Sequence, residues 1–189
     1  VSFNPATSNI FIGSNFNFNL DFDNTSPTDT GFNPIIELIL PPEITFNGAS
    51  FLGLDVRSTF VGFFDSTGLN LRDPLTNQVV NGVGLSGYQL YVLEYPLGSF
   101  TPDQPLASMV IDATLSSTAP ISPPATSLIM RANPIFRFGN NPAGGTPIHG
   151  PQSVGEVYPT VITLDKTSNA PEDETATGVN YPVRYTLSV

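Results

Sequence analysis

The sequence has no cysteine and no tryptophan, one histidine (His149) and one lysine (Lys166). Without cysteine there is no disulfide scaffold, no thiolate metal site and no cysteine nucleophile. With a single histidine as well, the sequence argues against catalytic zinc, whose usual sites draw on several His or Cys ligands. Charge is also scarce. Charged residues make up 12% of the chain, about half the usual share. The helix formers Lys, Glu, Ala and Met are few, and no window carries an apolar stripe at i, i+3 and i+4. No run of about 18 apolar residues exists, so no helix spans a membrane. The opening Val1-Ser2-Phe3 has neither a basic nor an apolar leader region. It starts without Met, and the chain closes inside an alternating Tyr185-Thr186-Leu187-Ser188-Val189, so it reads as a piece excised from a longer polypeptide.

What is present favours sheet. Of 189 residues, 40% are hydrophobic and 14 are Phe, enough to fill a core. Gly (16) and Pro (19) are frequent and punctuate the chain into short segments. Sixteen acidic and six basic residues give a net charge of −10. Such a surface repels phosphate backbones and anionic lipid, which argues against nucleic acid and membrane partners. The acidity either serves solubility alone or attracts divalent cations.

The clearest strand is 15–23, where Phe16, Phe18, Leu20 and Phe22 alternate with Asn and Asp. The run 32–40, interrupted only by Glu37 and stopped by Pro41-Pro42, predicts a central strand buried on both faces. Short strands are expected at 44–46 and 51–54, divided by an Asn47-Gly48 turn, and at 58–64 and 78–80. Others are expected at 88–95, 109–115, 127–131, 135–138, 161–164 and 183–189. Residues 140–154, full of Gly, Pro and Asn, read as the loosest region. Many short strands between turn signals predict a sandwich. The two ends of the chain share a strand–polar stretch–strand layout, a hint of internal repetition.

Gly82-Val83-Gly84-Leu85-Ser86-Gly87 satisfies the dinucleotide fingerprint, but strand formers rather than a helix follow it, so it reads as a hairpin loop. His149 lies in a Pro/Gly loop, no nucleophile elbow appears, and no carboxylate pair can be nominated for hydrolysis. Two acidic clusters are candidate calcium ligands, Asp21 with Asp23 and Asp29, and Glu172 with Asp173 and Glu174. Neither has the spacing of a calcium loop, and solvated acidic loops explain them better. Tyr88, Tyr91 and Tyr95 offer either a sugar-stacking platform or ordinary core packing. Asn15, Asn17 and Asn19 offer a ladder against a neighbouring strand or a plain polar face. Asn24-Thr25-Ser26 matches a glycosylation sequon.

Several segments carry a further signal in their order along the chain. They are Phe22-Asp23-Asn24-Thr25, Gly31-Phe32-Asn33-Pro34, Ile36-Glu37-Leu38-Ile39-Leu40-Pro41, and Pro96-Leu97-Gly98-Ser99-Phe100-Thr101-Pro102-Asp103-Gln104-Pro105. Phe136-Arg137-Phe138-Gly139, Leu164-Asp165-Lys166-Thr167, 171–178 and Asn180-Tyr181-Pro182 complete the series. Together they resemble the long bacterial surface proteins built from Ig-like repeats of the isopeptide-forming fimbrial or conserved-surface type. The resemblance implies an all-β, Ig-like antiparallel sandwich, export to the cell surface, and a part in adhesion or in an extracellular fibre. In some such repeats a strand lysine bonds covalently to an Asn or Asp side chain. Only Lys166 is available for that cross-link, and the stretch from Val1 to Tyr158 has none, which rules out an internal isopeptide there.

The expectation is therefore a sandwich domain over 1–158 with long loops. Residues 159–189 are a linker and the first strands of a following repeat, or a strand donated to a neighbour through Val183, Tyr185, Leu187 and Val189. The expected function is a non-catalytic structural module of an extracellular surface protein or filament. Its partners are neighbouring copies or repeats, and it requires no cofactor. The alternative is a carbohydrate- or surface-binding adhesin domain that recognises surface glycans, with calcium dependence.

Overall fold

The computed structural model describes residues 1–121, 126–138 and 145–162, together with strands at 165–168 and 185–188. Thirteen strands build the main body: β1 (Ser2–Asn4), β2 (Thr7–Phe11), β3 (Asn15–Phe22), β4 (Gly31–Leu40), β5 (Ile44–Phe51), β6 (Leu54–Asp55), β7 (Ser58–Phe63), β8 (Gln89–Glu94), β9 (Ser99–Phe100), β10 (Ala107–Leu115), β11 (Leu128–Arg137), β12 (Pro147–His149) and β13 (Ser153–Thr160). No helix occurs among the described residues. One sheet runs β1-β3-β10-β5-β6. The other runs β2-β13-β11-β4-β8-β7, with β12 added to β11 and β9 to β4.

Period-2 patterning sets the layers. In β3, Phe16, Phe18, Leu20 and Phe22 are buried while Asn15 and Asn17 are exposed. Opposite them β10 buries Met109, Ile111, Ala113 and Leu115. Ile36, Leu38 and Leu40 of β4 and Leu93 and Tyr95 complete one core between the sheets. Each fully buried Leu, Ile or Phe contributes about 1.5–3 kcal/mol, so this layer is the main stabilising term. The outer face of the five-stranded sheet is polar. There Asn47 Nδ2 donates to Thr114 Oγ1 (2.9 Å), and that hydroxyl donates to Asn15 Oδ1 (2.8 Å). Of the two readings of Asn15, Asn17 and Asn19, Asn15 is bonded across strands within one chain on this polar outer face.

The eight-stranded sheet is buried on both faces at its centre, along β4 and β8. Ile39 and Leu90 on its outer face pack against Phe64, Leu71, Val80 and Leu85. These four belong to the β7–β8 connection, residues 64–88, which folds back as a flap over the sheet. That second layer explains why β4 reads as a continuous apolar run.

Several expected boundaries change. Asn47-Gly48 does not turn the chain. β5 continues through it with a bulge opposite Asp112/Ala113, and the turn falls at Leu52-Gly53, both at positive φ. Residues 128–137 form one strand although Pro134 lies inside it. Pro134 lacks an N–H to donate, and it sits where β11 changes neighbour from β13 to β12, so no ladder bond is lost there. Residues 78–80 contribute one bridge, Arg72 to Val79, rather than a strand. The region read as loosest holds β12 and the start of β13, while Val161 and Ile162 lie beyond the strand expected to include them. β13 pairs through Pro159 and Thr160.

After the main body, β14 (Asp165–Ser168) and β15 (Tyr185–Ser188) form a separate antiparallel pair. The architecture is an all-β, Ig-like sandwich in which, among the described residues, every strand pairing is antiparallel except β2 with β13.

Candidate functional site

At one end of the sandwich a cleft of about 730 Å³ opens between the β3–β4 loop and β12. Asn24 organises that loop. Its Nδ2 donates to the carbonyls of Asp29 and Phe100 (both 2.8 Å), and its Oδ1 accepts the Ser26 N–H (3.0 Å). The sequon asparagine is thus the fastener of the loop. Phe22, Phe100 and Phe136 line the cleft together with Asp21, Asp23, Asp29 and His149, and no Lys or Arg does.

The first acidic cluster read from the sequence therefore lies along one cleft. Asp21 is committed to its own sheet: it accepts Asn4 Nδ2 at 3.0 Å and Ser108 Oγ at 2.6 Å. Among the described residues, no three His, Cys, Asp or Glu side chains are grouped so as to hold a metal ion. Glu172, Asp173 and Glu174 lie outside the described residues.

The other motifs resolve into structural roles. The imidazole Nε2 of His149 is bonded to Gln78 of the flap, not to a serine or a carboxylate. In the glycine motif, Gly84 and Gly87 take positive φ and β8 follows directly. A Cβ on Gly82 would meet the Phe64 ring at 2.2 Å, so this glycine allows close packing of the flap. Tyr95 is buried, and its hydroxyl donates to the carbonyls of Leu20 (3.0 Å) and Ala107 (3.3 Å). Burial raises its pKa well above the ordinary phenol value, with the Asp21 charge adding to it. Tyr91 stacks between Phe46 (4.5 Å) and Phe60 (5.2 Å) at the sandwich edge. Neither side chain forms a flat exposed platform.

A polar pair not nominated from the sequence lies beneath the flap. Glu37 is 2% exposed and Asp73 is fully buried. Glu37 Oε2 accepts Asn133 Nδ2 (3.1 Å), while Glu37 Oε1 and Asp73 Oδ2 have no hydrogen-bond partner. Burial pushes Glu37 up to about 7 against the pull of the Asn133 bond, and the Asp73 charge adds to the rise. The available signal was the lone charge in the apolar run 32–40. Asp73 carried no comparable mark, because only the fold-back of the flap buries it.

The second and the last strands of the sandwich meet in one ladder. Thr7 to Phe11 pair in parallel with Glu156 to Thr160, and the ladder is extended by Glu156 N–H to Ala6 O (2.8 Å) and Ile12 N–H to Thr160 O (3.1 Å). Strands parallel and adjacent in this way have their outward-leading ends at opposite ends of the ladder. Tension applied through both ends loads its bonds together, in shear, rather than one at a time. In the segment that follows, Lys166 stands opposite Leu187, and Tyr185 opposite Ser168. Val183 and Val189 lie outside the described residues.

No protein-family model and no curated protein matches the chain. Solved structures do resemble it at low identity. The major pilin subunit BcpA of Bacillus cereus aligns with a TM-score of 0.44 and 10% identity, over 85% of this chain and 38% of that one. The sixth cohesin of scaffoldin B from Acetivibrio cellulolyticus, solved in complex with a Cel5 dockerin, aligns at 0.46 and 12%, over 84% and 96%. AvmM, described as catalysing macrocyclization in alchivemycin A biosynthesis, aligns at 0.41 and 12%, over 85% and 88%. A pilin, a dockerin-binding module and a catalyst share this outline at similar scores, so the likeness does not choose among their functions.

Proposed function

We propose that this chain is a non-catalytic structural module of an extracellular surface protein or filament, built to carry tension between its two ends. The parallel β2–β13 ladder is the observation that carries the reading. In a parallel ladder the bonds are evenly spaced, so a pull through the ends distributes over the whole pairing. Survival under force depends on how slowly the loaded state unfolds. Consistently, His149 and the glycine motif are committed to flap contacts rather than to a reaction centre. The partners in this reading are neighbouring copies or repeats of the same protein. They are joined through the segment after Thr160, either as the first strands of a following repeat or as a donated strand, with Lys166 as the residue available for a covalent link. Single-molecule pulling through defined anchor points tests the reading.

A second reading has its own observation, the apolar cleft rimmed by Asp23 and Asp29. A carbohydrate- or surface-binding adhesin domain would use that cleft, with calcium on its rim. Binding to a glycan array that requires calcium and is lost in Asp23→Asn with Asp29→Asn supports this reading. Calcium-independent or absent binding removes it.

A further inference from the structure

The flap over the eight-stranded sheet closes on two carboxyl groups that lack full compensation. Glu37 lies on β4 in register with Val92 of β8 on one side and Asn133 of β11 on the other. From above, the flap brings Asp73, whose Oδ1 accepts the N–H of Leu75 (2.7 Å) and whose other oxygen has no partner. A buried carboxylate without a partner is costly, so a proton or a cation must balance the charge.

The donor set decides between them. Calcium takes six to eight oxygens; among the described residues the buried side-chain oxygens without a hydrogen-bond partner are Glu37 Oε1, Asp73 Oδ2 and Glu94 Oε1, and the last already faces the Arg57 guanidinium at 3.2 Å. Asn133 is no spare ligand, because its Oδ1 accepts Gln152 Nε2 at 2.9 Å while its Nδ2 serves Glu37. We propose that residues 64–88 form a proton-held latch: the flap stays seated on the sheet while the buried Glu37 carboxyl carries a proton, and lifts when that proton leaves to solvent.

The charged groups on the elements packed around Glu37 are Asp65, Arg72 and Asp73 of the flap, Arg131 and Arg137 of β11, Glu94 of β8 and His149 of β12. Asp65 is held in its own turn, accepting the Thr67 and Gly68 N–H groups at 2.9 and 3.0 Å. Arg72 and Arg137 point guanidinium N–H groups at flap carbonyls, those of Asn77 (3.0 Å) and Leu75 (3.1 Å). Arg131 bonds Gln152 (2.9 Å) and Glu94 pairs with Arg57 (3.2 Å). His149 holds Gln78 of the flap. Of these, Asp73 is the one whose charge acts on Glu37. Lifting the flap uncovers Ile39 and Leu90, an apolar strip otherwise out of water. The device is independent of the load-bearing ladder, which lies at the far edge of the same sheet.

Hydrogen exchange tests it, after correction for the intrinsic pH dependence of exchange. The reporters are the Val80, Gly82 and Gly87 amides, which bond within the flap and to its base, against the Met109 and Ile111 amides of the core. Between pH 5.5 and 8.5 the flap amides of the wild type should lose at least tenfold in protection while the core amides hold. In Glu37→Gln, which keeps the volume and a hydrogen bond to Asn133, the flap should stay equally protected at both pH values. Asp73→Asn is the second variant: it removes only the neighbouring charge, so the pH response should shrink but persist, burial being the larger cause acting on Glu37. Equal flap protection in the wild type at both pH values overturns the proposal. So does a pH response that survives in Glu37→Gln and disappears in His149→Asn, since histidine also changes charge near neutrality. Restoration of wild-type protection at pH 8.5 by 1 mM calcium alone would assign the pair to a cation and overturn the proton.

Discussion

Asn133 stands opposite Glu37 across the β11–β4 pairing and donates its amide N–H to one carboxylate oxygen at 3.1 Å, leaving the other oxygen buried and unpartnered. One bond is less than a buried carboxylate needs, and the protein meets the deficit by raising the pKa. That has a consequence for stability. Glu37 is held at about 7 in the folded chain against 4.5 in its absence, so folding is favoured when the group is protonated. The contribution is complete below pH 4.5 and lost as pH rises through about 7. Its size is on the order of 3 kcal/mol. Urea denaturation at pH 5.5 and 8 should show the wild type weaker at the higher pH, and Glu37→Gln should remove most of that difference.

Tyr95 ties the two sheets together through its hydroxyl, which reaches the carbonyls of Leu20 on β3 and Ala107 on β10. Tyr95→Phe keeps the ring packing on Phe22 and Phe51 and removes both bonds. A loss of about 1–2 kcal/mol is expected in thermal or urea unfolding, with an unchanged circular dichroism spectrum.

Gly68 fixes the base of the flap. It takes φ +67, and a Cβ there would lie 2.2 Å from the carbonyl oxygen of Gly82, a backbone atom that cannot step aside cheaply. Gly68→Ala is expected to cost more than about 2 kcal/mol. Limited proteolysis should then cut within 64–88 first, with the sandwich left intact.

Leu52 presents the opposite case. It is 86% exposed at the tip of the β5–β6 hairpin and holds φ +51, a conformation that costs a leucine about 1–2 kcal/mol. Leu52→Gly should raise stability by about 0.5–1 kcal/mol, read as a higher melting temperature. A fall would show that Leu52 packs against something that stabilises the fold.

Much of the sandwich was legible because its signals are local. The alternation of β3 and β10 and the apolar run of β4 report burial directly, and they predicted the layers. Where the reading failed, a tertiary circumstance outweighed a local one. Asn47-Gly48 has turn chemistry, yet pairing with β10 on one side absorbs it as a bulge. Pro134 looks like a break between strands, yet it falls at the gap between two partners. β13 contains Gly155 and Pro159, both buried in the sheet, and no strand was expected there, its first two residues falling in the region read as loosest.

The site was less legible. The sequence marked Asp21, Asp23 and Asp29 as a group, and the fold does bring all three to one cleft, but Asp21 is already satisfied by Asn4 and Ser108. Glu37 and Asp73 are 36 positions apart in the chain and meet only because a 25-residue connection, 64–88, folds back. No spacing rule announces such a meeting. The parallel β2–β13 pairing is likewise invisible to periodicity, since strand direction follows from topology rather than from side-chain alternation.

The measurement that bears most directly on the proposed role is the force at which the sandwich unfolds in two pulling directions. The chain has no cysteine, so introduced pairs give unique handles. Ala6→Cys with Ile162→Cys pulls β2 and β13 in shear, because Ala6 stands at the start of the ladder and Ile162 just past its end. Phe11→Cys with Ile162→Cys pulls from one end of the same ladder and peels it. A load-bearing module unfolds at clearly higher force in the first geometry than in the second at equal loading rate. Equal forces, or a weaker shear geometry, would contradict the tension-carrying role.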